Sequence, residues 1–444
     1  MNYKYESTYN KIASLLKVPR EENNFSITNL TWKADDTCQD GCYIAIKGNR
    51  FNGNDFIGEA INRGAALIIT DENIKCDVPT IRVKNARESL CVLAGENIKN
   101  TRIIGVTGSV GKTTVKEMIR SVLSQRYTVS ATIDNENNEI GVAKTLLSIK
   151  NEEFCVVEMG MRGRGELRFL SNVCYPETSV ITNSGSAHIE RLGSHEEIFK
   201  AKCEILEKTK KYCVLPNDNR FINVEKFGLL PFFVGESADY SALNIDTNEN
   251  SSFFVCENGK NIGRIDLPTI SKHNITNSLF AYAVGRIYSL EHNEIKKGLE
   301  CFKNINLREQ IVKVNGITII LDCYNASYEG LKSSIESFHS YCRSKGLISV
   351  IVLGCMREAG DFKAEYQYRI GEYIKDLGIK NLIGYNDDSK EFLDGFMGGK
   401  LIRDKKLIAK YILSKYGDNY AVLFKGSRSE KLEEIIIEMK EQLK

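Results

Sequence analysis

Arg102-Ile-Ile-Gly-Val-Thr-Gly-Ser-Val-Gly-Lys-Thr-Thr114 is the stretch on which the reading of this chain turns. The apolar run Ile103, Ile104 and Val106 predicts a strand. It leads into a loop with Gly105, Gly108 and Gly111, then Lys112, Thr113 and Thr114. Val115, Met118, Ile119, Val122 and Leu123 follow at helical spacing. Strand, glycine loop, Lys-Thr and helix together make a phosphate-binding loop. Glycines let backbone N–H groups close around phosphate oxygens, and the helix N-terminus adds positive potential. In such a loop Lys112 reaches the terminal phosphates and the Thr113 hydroxyl holds Mg²⁺. Gly108, Ser109, Gly111 and Thr114 complete the expected nucleotide-binding set. The strict pattern has a glycine where this chain has Val106, so Gly105 and Gly108 must supply the turn.

The bulk composition narrows the class. A length of 444 residues suggests two to four domains, and 42% apolar residues are enough for real cores. A net charge of +2 offers no field for nucleic acid or an anionic membrane, and neither partner is expected. No apolar run approaches the roughly 18 residues that span a bilayer. The polar N-terminus, Met-Asn-Tyr-Lys-Tyr-Glu, has no signal-peptide core. The 13 cysteines are scattered and odd in number, which fits reduced thiols in a cytoplasm. Cys38 and Cys42 have no second Cys/His pair of matching spacing, so no zinc site is expected.

Periodicity predicts an α/β protein of three domains. Residues 1–98 read as a small α/β unit, with a helix over Tyr9–Leu16 and a strand over Ala65–Thr70. Residues 99–306 hold the phosphate loop and a mostly parallel sheet, with a short antiparallel section between 226 and 268. Residues 307–444 alternate strand and helix four times, the sign of a doubly wound, Rossmann-like sheet. That sheet lacks a G-x-G-x-x-G after its first strand and is not read as a dinucleotide site.

A nucleotide phosphate site needs Mg²⁺, and Mg²⁺ needs oxygen ligands. Glu158 ends the apolar strand Phe154-Cys-Val-Val-Glu-Met-Gly160, at the edge where such sheets gather ligands. His188 follows another strand in a Gly- and Ser-rich loop. Lys202 lies on a predicted helix, where a lysine is by default solvated.

Several short motifs, in order from about residue 25 to the end, resemble those of the Mur ligases. They are Gly105-Val-Thr-Gly-Ser-Val-Gly-Lys-Thr-Thr-Val-Lys116, Asn137-Asn-Glu-Ile-Gly141, Val157-Glu-Met-Gly160, Ile181-Thr-Asn183 with Ala187-His188, and Ala201-Lys-Cys-Glu-Ile205. His273-Asn274 with Asn277, Asp322-Cys-Tyr-Asn-Ala326, Leu353-Gly354 with Met356 and Glu358, and Lys425-Gly-Ser-Arg428 continue the series. The match is most like the type that adds D-alanyl-D-alanine to a UDP-muramoyl-tripeptide.

The resemblance implies an ATP-dependent ligase that forms an amide bond through an acyl phosphate. It implies catalytic roles for Lys112, Lys202 and His188. Thr113, Glu158, His188 and a carbamylated Lys202 would hold two Mg²⁺ ions. Asn274 and Asn277 would lie on the adenine side, with Arg308 and Asp322 reaching phosphate and ribose. Asn137, Asn138, Tyr324, Asn325, Lys425, Ser427 and Arg428 would face the carboxylate and amine substrates. A monomer is expected.

The N-terminal part departs most from the family. Its Asp-Ser-Arg signature near the uridine nucleotide aligns with Thr31-Trp-Lys33, and Asp-Gly-His aligns with Asn52-Gly-Asn54. Farther on, Gly-Asp-Met becomes Gly354-Cys-Met356 and Asp-Ser becomes Asp322-Cys323. Two functional readings therefore compete: a divergent cell-wall ligase, or a paralogue joining a different carboxylate and amine. A folylpolyglutamate-type ligase fits the 137–141 and 425–428 stretches less well, and a non-catalytic ATP-binding regulator would not need Lys112, Glu158, His188 and Lys202 together.

Overall fold

A computed structural model describes residues 3–48, 51–185, 189–221, 223–247, 250–303, 307–357 and 359–443. Two compact units emerge, the first formed by Met1–Gly105, Tyr127–Gly160 and Arg168–Glu177, the second by the remainder.

The first unit contains a five-stranded sheet whose strands neighbour in chain order: β1 (Tyr3–Thr8), β2 (Ser26–Thr31), β3 (Gly41–Ala45), β4 (Ala65–Thr70) and β5 (Thr80–Arg82). β1 and β2 are antiparallel, and the other pairs are parallel. Tyr43, Ala45, Ala65 and Ile68 from β3 and β4 pack on Ile57 and Ala60 of the helix Ile57–Asn62. The predicted helix Tyr9–Leu16 is present, with the Thr8 hydroxyl accepting from the Lys11 N–H at its start. β6 (Arg102–Thr107) begins in this unit, where the Arg102 N–H donates to Glu153 O at 2.9 Å. β7 (Val129–Ala131) and β8 (Phe154–Glu158) pair parallel, and every residue of β8 is buried. That burial on both faces explains its unbroken apolar sequence.

The second unit takes the end of β6, the phosphate loop and the helix Lys112–Leu123. Its first sheet runs outward from β6 through β9 (Thr178–Ile181), β10 (Tyr212–Pro216), β11 (Leu230–Val234), β12 (Tyr240–Thr247), β13 (Ser251–Glu257) and β14 (Lys260–Leu267). β9 to β12 pair parallel, while β12, β13 and β14 form the expected antiparallel section. The helix Lys272–Ile287 packs along Lys112–Leu123.

The remaining sheet has six strands: β15 (Gln310–Val314), β16 (Ile317–Asp322), β17 (Ile348–Leu353), β18 (Asn381–Tyr385), β19 (Lys400–Ile402) and β20 (Tyr420–Lys425). Their spatial order is β15-β16-β20-β17-β18-β19, parallel apart from the β15–β16 hairpin. Alternate residues feed two cores. Ile320, Ile351, Leu353 and Leu423 face Leu331, Ile335, Ile370 and Phe392. Ile319, Val350, Val352 and Val422 face Ile408, Ile412, Ile435 and Met439. Helices therefore cover both faces, as a doubly wound sheet requires.

The fold class is as expected, α/β with three mostly parallel sheets. The strand–helix alternation at the C-terminal end has one more round than expected, because the helix Lys390–Phe396 and the three-residue β19 intervene. All 13 cysteines are free thiols. Among the described residues no helix is long and apolar enough to cross a membrane.

Candidate active site

The phosphate loop is held in shape by the residues that follow β9. Asn183 Oδ1 accepts from the N–H groups of Ser109 (3.1 Å) and Val110 (3.0 Å), and its Nδ2 donates to Val110 O at 2.9 Å. The Thr182 hydroxyl donates to the same carbonyl at 2.6 Å. Gly108 and Gly111 have φ of +152° and +84°, where a side chain would be strained. They also have no room: a Cβ would lie 1.9 Å from Thr182 Oγ1 at Gly108 and 2.7 Å from Asn277 Oδ1 at Gly111. The helix Lys112–Leu123 begins at Gly111 without a side-chain cap, so its first-turn N–H groups keep the character of an anion site. Lys112 Nζ folds back onto Gly108 O at 2.7 Å. The Ser109 hydroxyl is buried without a hydrogen-bond partner.

Thr113 and Thr114 are buried in that first turn. Arg308 brings Nη2 to 3.3 Å from Thr113 Oγ1, and its guanidinium lies 4.2 Å from the centre of the Tyr324 ring. Asn274 and Asn277, expected on the adenine side, form a chain that reaches the loop at Gly111. Asn277 Nδ2 donates to Asn274 Oδ1 at 2.9 Å, and Asn274 Nδ2 donates to Glu309 Oε2 at 3.1 Å. Glu309 also accepts from Thr269 Oγ1 at 2.7 Å and lies 3.1 Å from His273 Nε2. Burial raises its pKa, but His273 outweighs burial and leaves it below the usual carboxylate value. Sequence reasoning did not single out Glu309, because a lone acid just before a strand gives no signal of its own.

Lys202 is not a solvated helix lysine. It is 1% exposed on the helix His195–Cys203, whose N-cap is Ser194. Burial holds its amine well below the usual lysine range, and the positive charge of Lys112 lowers it further. Glu204 receives the Gly165 N–H through both oxygens, at 3.0 and 2.8 Å. His188, with its neighbours 186 and 187, lies outside the described residues.

In the other unit, Glu158 is 1% exposed at the end of β8. Its Oε1 accepts from Asn137 Nδ2 at 2.8 Å, while Oε2 is buried with no hydrogen-bond partner among the described residues. Asn138 caps the helix Glu139–Ser148 through Gly141 N–H at 3.0 Å. In the divergent stretch, Thr31 is buried and turned onto its own chain, bonding the Lys33 N–H at 3.2 Å, and Trp32 stacks on Tyr3 with centroids 5.6 Å apart.

At the carboxyl ends of the last sheet, Lys425 Nζ lies 2.6 Å from Asp322 Oδ2 and 3.2 Å from Asn325 O. Burial opposes the Asp322 charge, yet the Lys425 partner keeps its carboxyl below the usual range. Arg428 pairs with Glu433. Ser427 Oγ donates to Cys355 O at 2.8 Å and accepts from the Arg357 N–H at 3.0 Å. The loops after β17 and β20 touch through glycine: a Cβ on Gly426 would lie 3.0 Å from Gly354 Cα. Gly354 N–H donates to Lys425 O at 2.8 Å, and Ser427 N–H to Cys355 O at 3.2 Å. Among the described residues, no group of three or more His, Cys, Asp or Glu forms a metal-binding cluster.

Comparison with known proteins places this arrangement. Residues 106–285 match the Mur ligase middle domain, and residues 307–428 match the Mur ligase, glutamate ligase domain. The chain is 31% identical to the UDP-N-acetylmuramoyl-tripeptide–D-alanyl-D-alanine ligase of Bacillus subtilis, with 97% of each chain covered. It is 32% identical to the ligase of the same name from Buchnera aphidicola, over 89% of this chain and 90% of that one. MurF ligase from Thermotoga maritima in complex with ADP superposes with a TM-score of 0.84 at 25% identity, covering 93% of this chain and 97% of that one. MurF from Acinetobacter baumannii shares the fold, with a TM-score of 0.88 at 22% identity over 99% and 100% of the two chains. Full-length similarity of this order, together with the middle-domain match over the phosphate loop, means that the chain belongs to the Mur ligase family of ATP-dependent amide ligases.

Proposed function

We propose that this ligase adds D-alanyl-D-alanine to a UDP-N-acetylmuramoyl-tripeptide in peptidoglycan synthesis. The observation that carries this reading is similarity to a ligase of that name along 97% of both chains. In the proposed division of labour, residues 1–98 take the UDP-linked carboxylate, 99–306 take ATP and 307–444 take the amine. The enzyme is proposed to act as a cytoplasmic monomer.

A carboxylate is a poor electrophile and must first be activated. Transfer of the γ-phosphoryl group of ATP to the carboxylate gives an acyl phosphate and ADP. The amine then attacks the acyl carbon, and phosphate leaves from the tetrahedral intermediate. Negative charge gathers at each step, so preorganised positive groups dominate catalysis. Lys112 and the N–H groups of the first helical turn supply them from this chain. Residues suited to Mg²⁺ are present, and Glu158 Oε2, buried with no partner among the described residues, is the observation that supports a cation there. Thr113, Glu158, His188 and Lys202 are the proposed holders, and Mg²⁺ would neutralise charge on the transferred phosphoryl group. The neutral amine is the form that reacts with CO₂, and burial and the nearby Lys112 charge both shift Lys202 toward it. The Lys202 amine would gain a carboxylate and lose a proton, becoming an oxygen ligand.

A second reading, a different carboxylate substrate, is favoured by one observation. Thr31, buried with its hydroxyl on its own backbone, is an uncharged residue where the family carries a charged recognition group. Phosphate release and product mass with ATP, Mg²⁺, UDP-muramoyl-tripeptide and D-alanyl-D-alanine decide between the two. Turnover with this pair supports the first reading, and turnover only with another carboxylate replaces it. Lys112→Ala should abolish turnover in either case.

A further inference from the structure

The loops after β17, β18 and β20 bring Arg357, Asp388 and Glu430 to the carboxyl ends of three neighbouring parallel strands. Ligands of doubly wound sheets bind at this edge. The Arg357 guanidinium is held along one side only. Its Nε and Nη2 donate to Glu430 Oε1 at 3.0 and 2.7 Å, and Nη2 lies 2.9 Å from Asp388 Oδ2. The Glu430 side chain is 3% exposed, and its second oxygen accepts from Asn386 Nδ2 at 2.8 Å. Lys363 Nζ occupies the other Asp388 oxygen at 3.0 Å. The Arg357 backbone is fixed as well, through the Ser427 hydroxyl.

The Arg357 side chain nevertheless remains 48% exposed, and its recorded side-chain bonds among the described residues use Nε and Nη2, leaving Nη1. An ion pair that served only stability would gain little from a half-exposed partner. An arginine with one edge anchored by a buried carboxylate and the other open is different. It presents the Nη1 donors at a fixed place for a carboxylate, and the ordering of its long side chain is already complete. The other cations of these loops are paired as well, Lys363 with Asp388, Lys425 with Asp322 and Arg428 with Glu433.

We propose that Arg357 receives the carboxylate of the incoming amino substrate, with Glu430 as the positioning residue that aims it. The inference rests on the reading above, in which the amine is a dipeptide with a free carboxylate.

The test is steady-state kinetics of wild type, Arg357→Gln and Arg357→Lys with D-alanyl-D-alanine and with its C-terminal amide, at saturating ATP and tripeptide. Thermal unfolding checks that each variant is folded. The wild type should prefer the dipeptide over its amide. Arg357→Gln should raise the KM for the dipeptide by roughly ten- to a hundredfold, the scale of a charged hydrogen bond, and lose the preference. Its KM for ATP should stay within about twofold. Arg357→Lys should recover part of the loss, since it restores charge but not the anchored guanidinium. A folded Arg357→Gln enzyme with the wild-type KM and preference overturns the inference alone. Absence of wild-type turnover with this substrate pair overturns the functional reading, and the inference falls with it.

Discussion

Lys202 and Lys425 are both lysines with almost no exposure, at 1% and 4%, yet their surroundings are opposite. Lys425 ends β20 against the Asp322 carboxylate and the Asn325 carbonyl. Lys202 lies within the influence of another cation, Lys112, and burial holds its amine below the usual range. A buried charge is tolerated when it is paired, and otherwise it is given up. Lys425 therefore reads as a structural cation that fastens the strand end. On Lys202 no such carboxylate acts among the described residues, and burial and Lys112 both act against its charge.

The sharpest way to break this contrast is to replace each lysine by methionine. Lys202→Met should cost about 10²–10³ in kcat, the usual loss for a group that stabilises developing charge. In bicarbonate-free buffer it should also raise the urea midpoint, because a buried amine is replaced by an apolar chain of similar volume. A Lys202→Met enzyme with wild-type kcat would end the proposed metal role. Lys425→Met should do the reverse for stability, lowering it by about 3–5 kcal/mol by leaving Asp322 buried and unpaired. An unchanged urea midpoint would show that the pair does not fasten the sheet.

A finer test uses pH. The folded-state pKa of Asp322 is depressed, so its contribution to stability is present above the free carboxylate value of about 3.9 and is lost as pH falls through the folded value. Asp322→Asn should therefore flatten the loss of stability on acidification, seen as a shallower dependence of the urea midpoint on pH below about 5. An unaltered slope would assign acid sensitivity to other carboxylates, such as Glu309. The smallest effect is expected at Asn183, which shapes the phosphate loop without carrying charge. Asn183→Ala removes two accepted and two donated bonds and should raise the KM for ATP by roughly tenfold.

The phosphate loop and the doubly wound sheet were legible in the sequence because each is written locally. Glycines, Lys-Thr and an amphipathic helix lie side by side at 105–123. The alternation of inward residues in β16, β17 and β20 is likewise a local pattern. Other elements escaped because their stability comes from partners far along the chain. β1 buries only Tyr5 and owes its conformation to pairing with β2. β19 has three residues and exists as an edge on β18. Among site residues, Lys112 and Thr113 were readable from the motif, whereas the burial of Lys202 was not, because its neighbours in space are distant in sequence. The same holds for Arg357 and Glu430, which are separated by 73 positions.

The glycine contact between the loops after β17 and β20 has a consequence for engineering. Gly354 and Gly426 leave no space between the two segments, and backbone bonds through Lys425 and Cys355 tie them together. The segments 354–357 and 426–430 thus behave as one cassette. A chimera that imports one loop from a relative and keeps the other native would meet a mismatched surface and lose the Arg357–Glu430 register. Exchanging this part of the fold between ligases of this family would require both loops to come from the same parent.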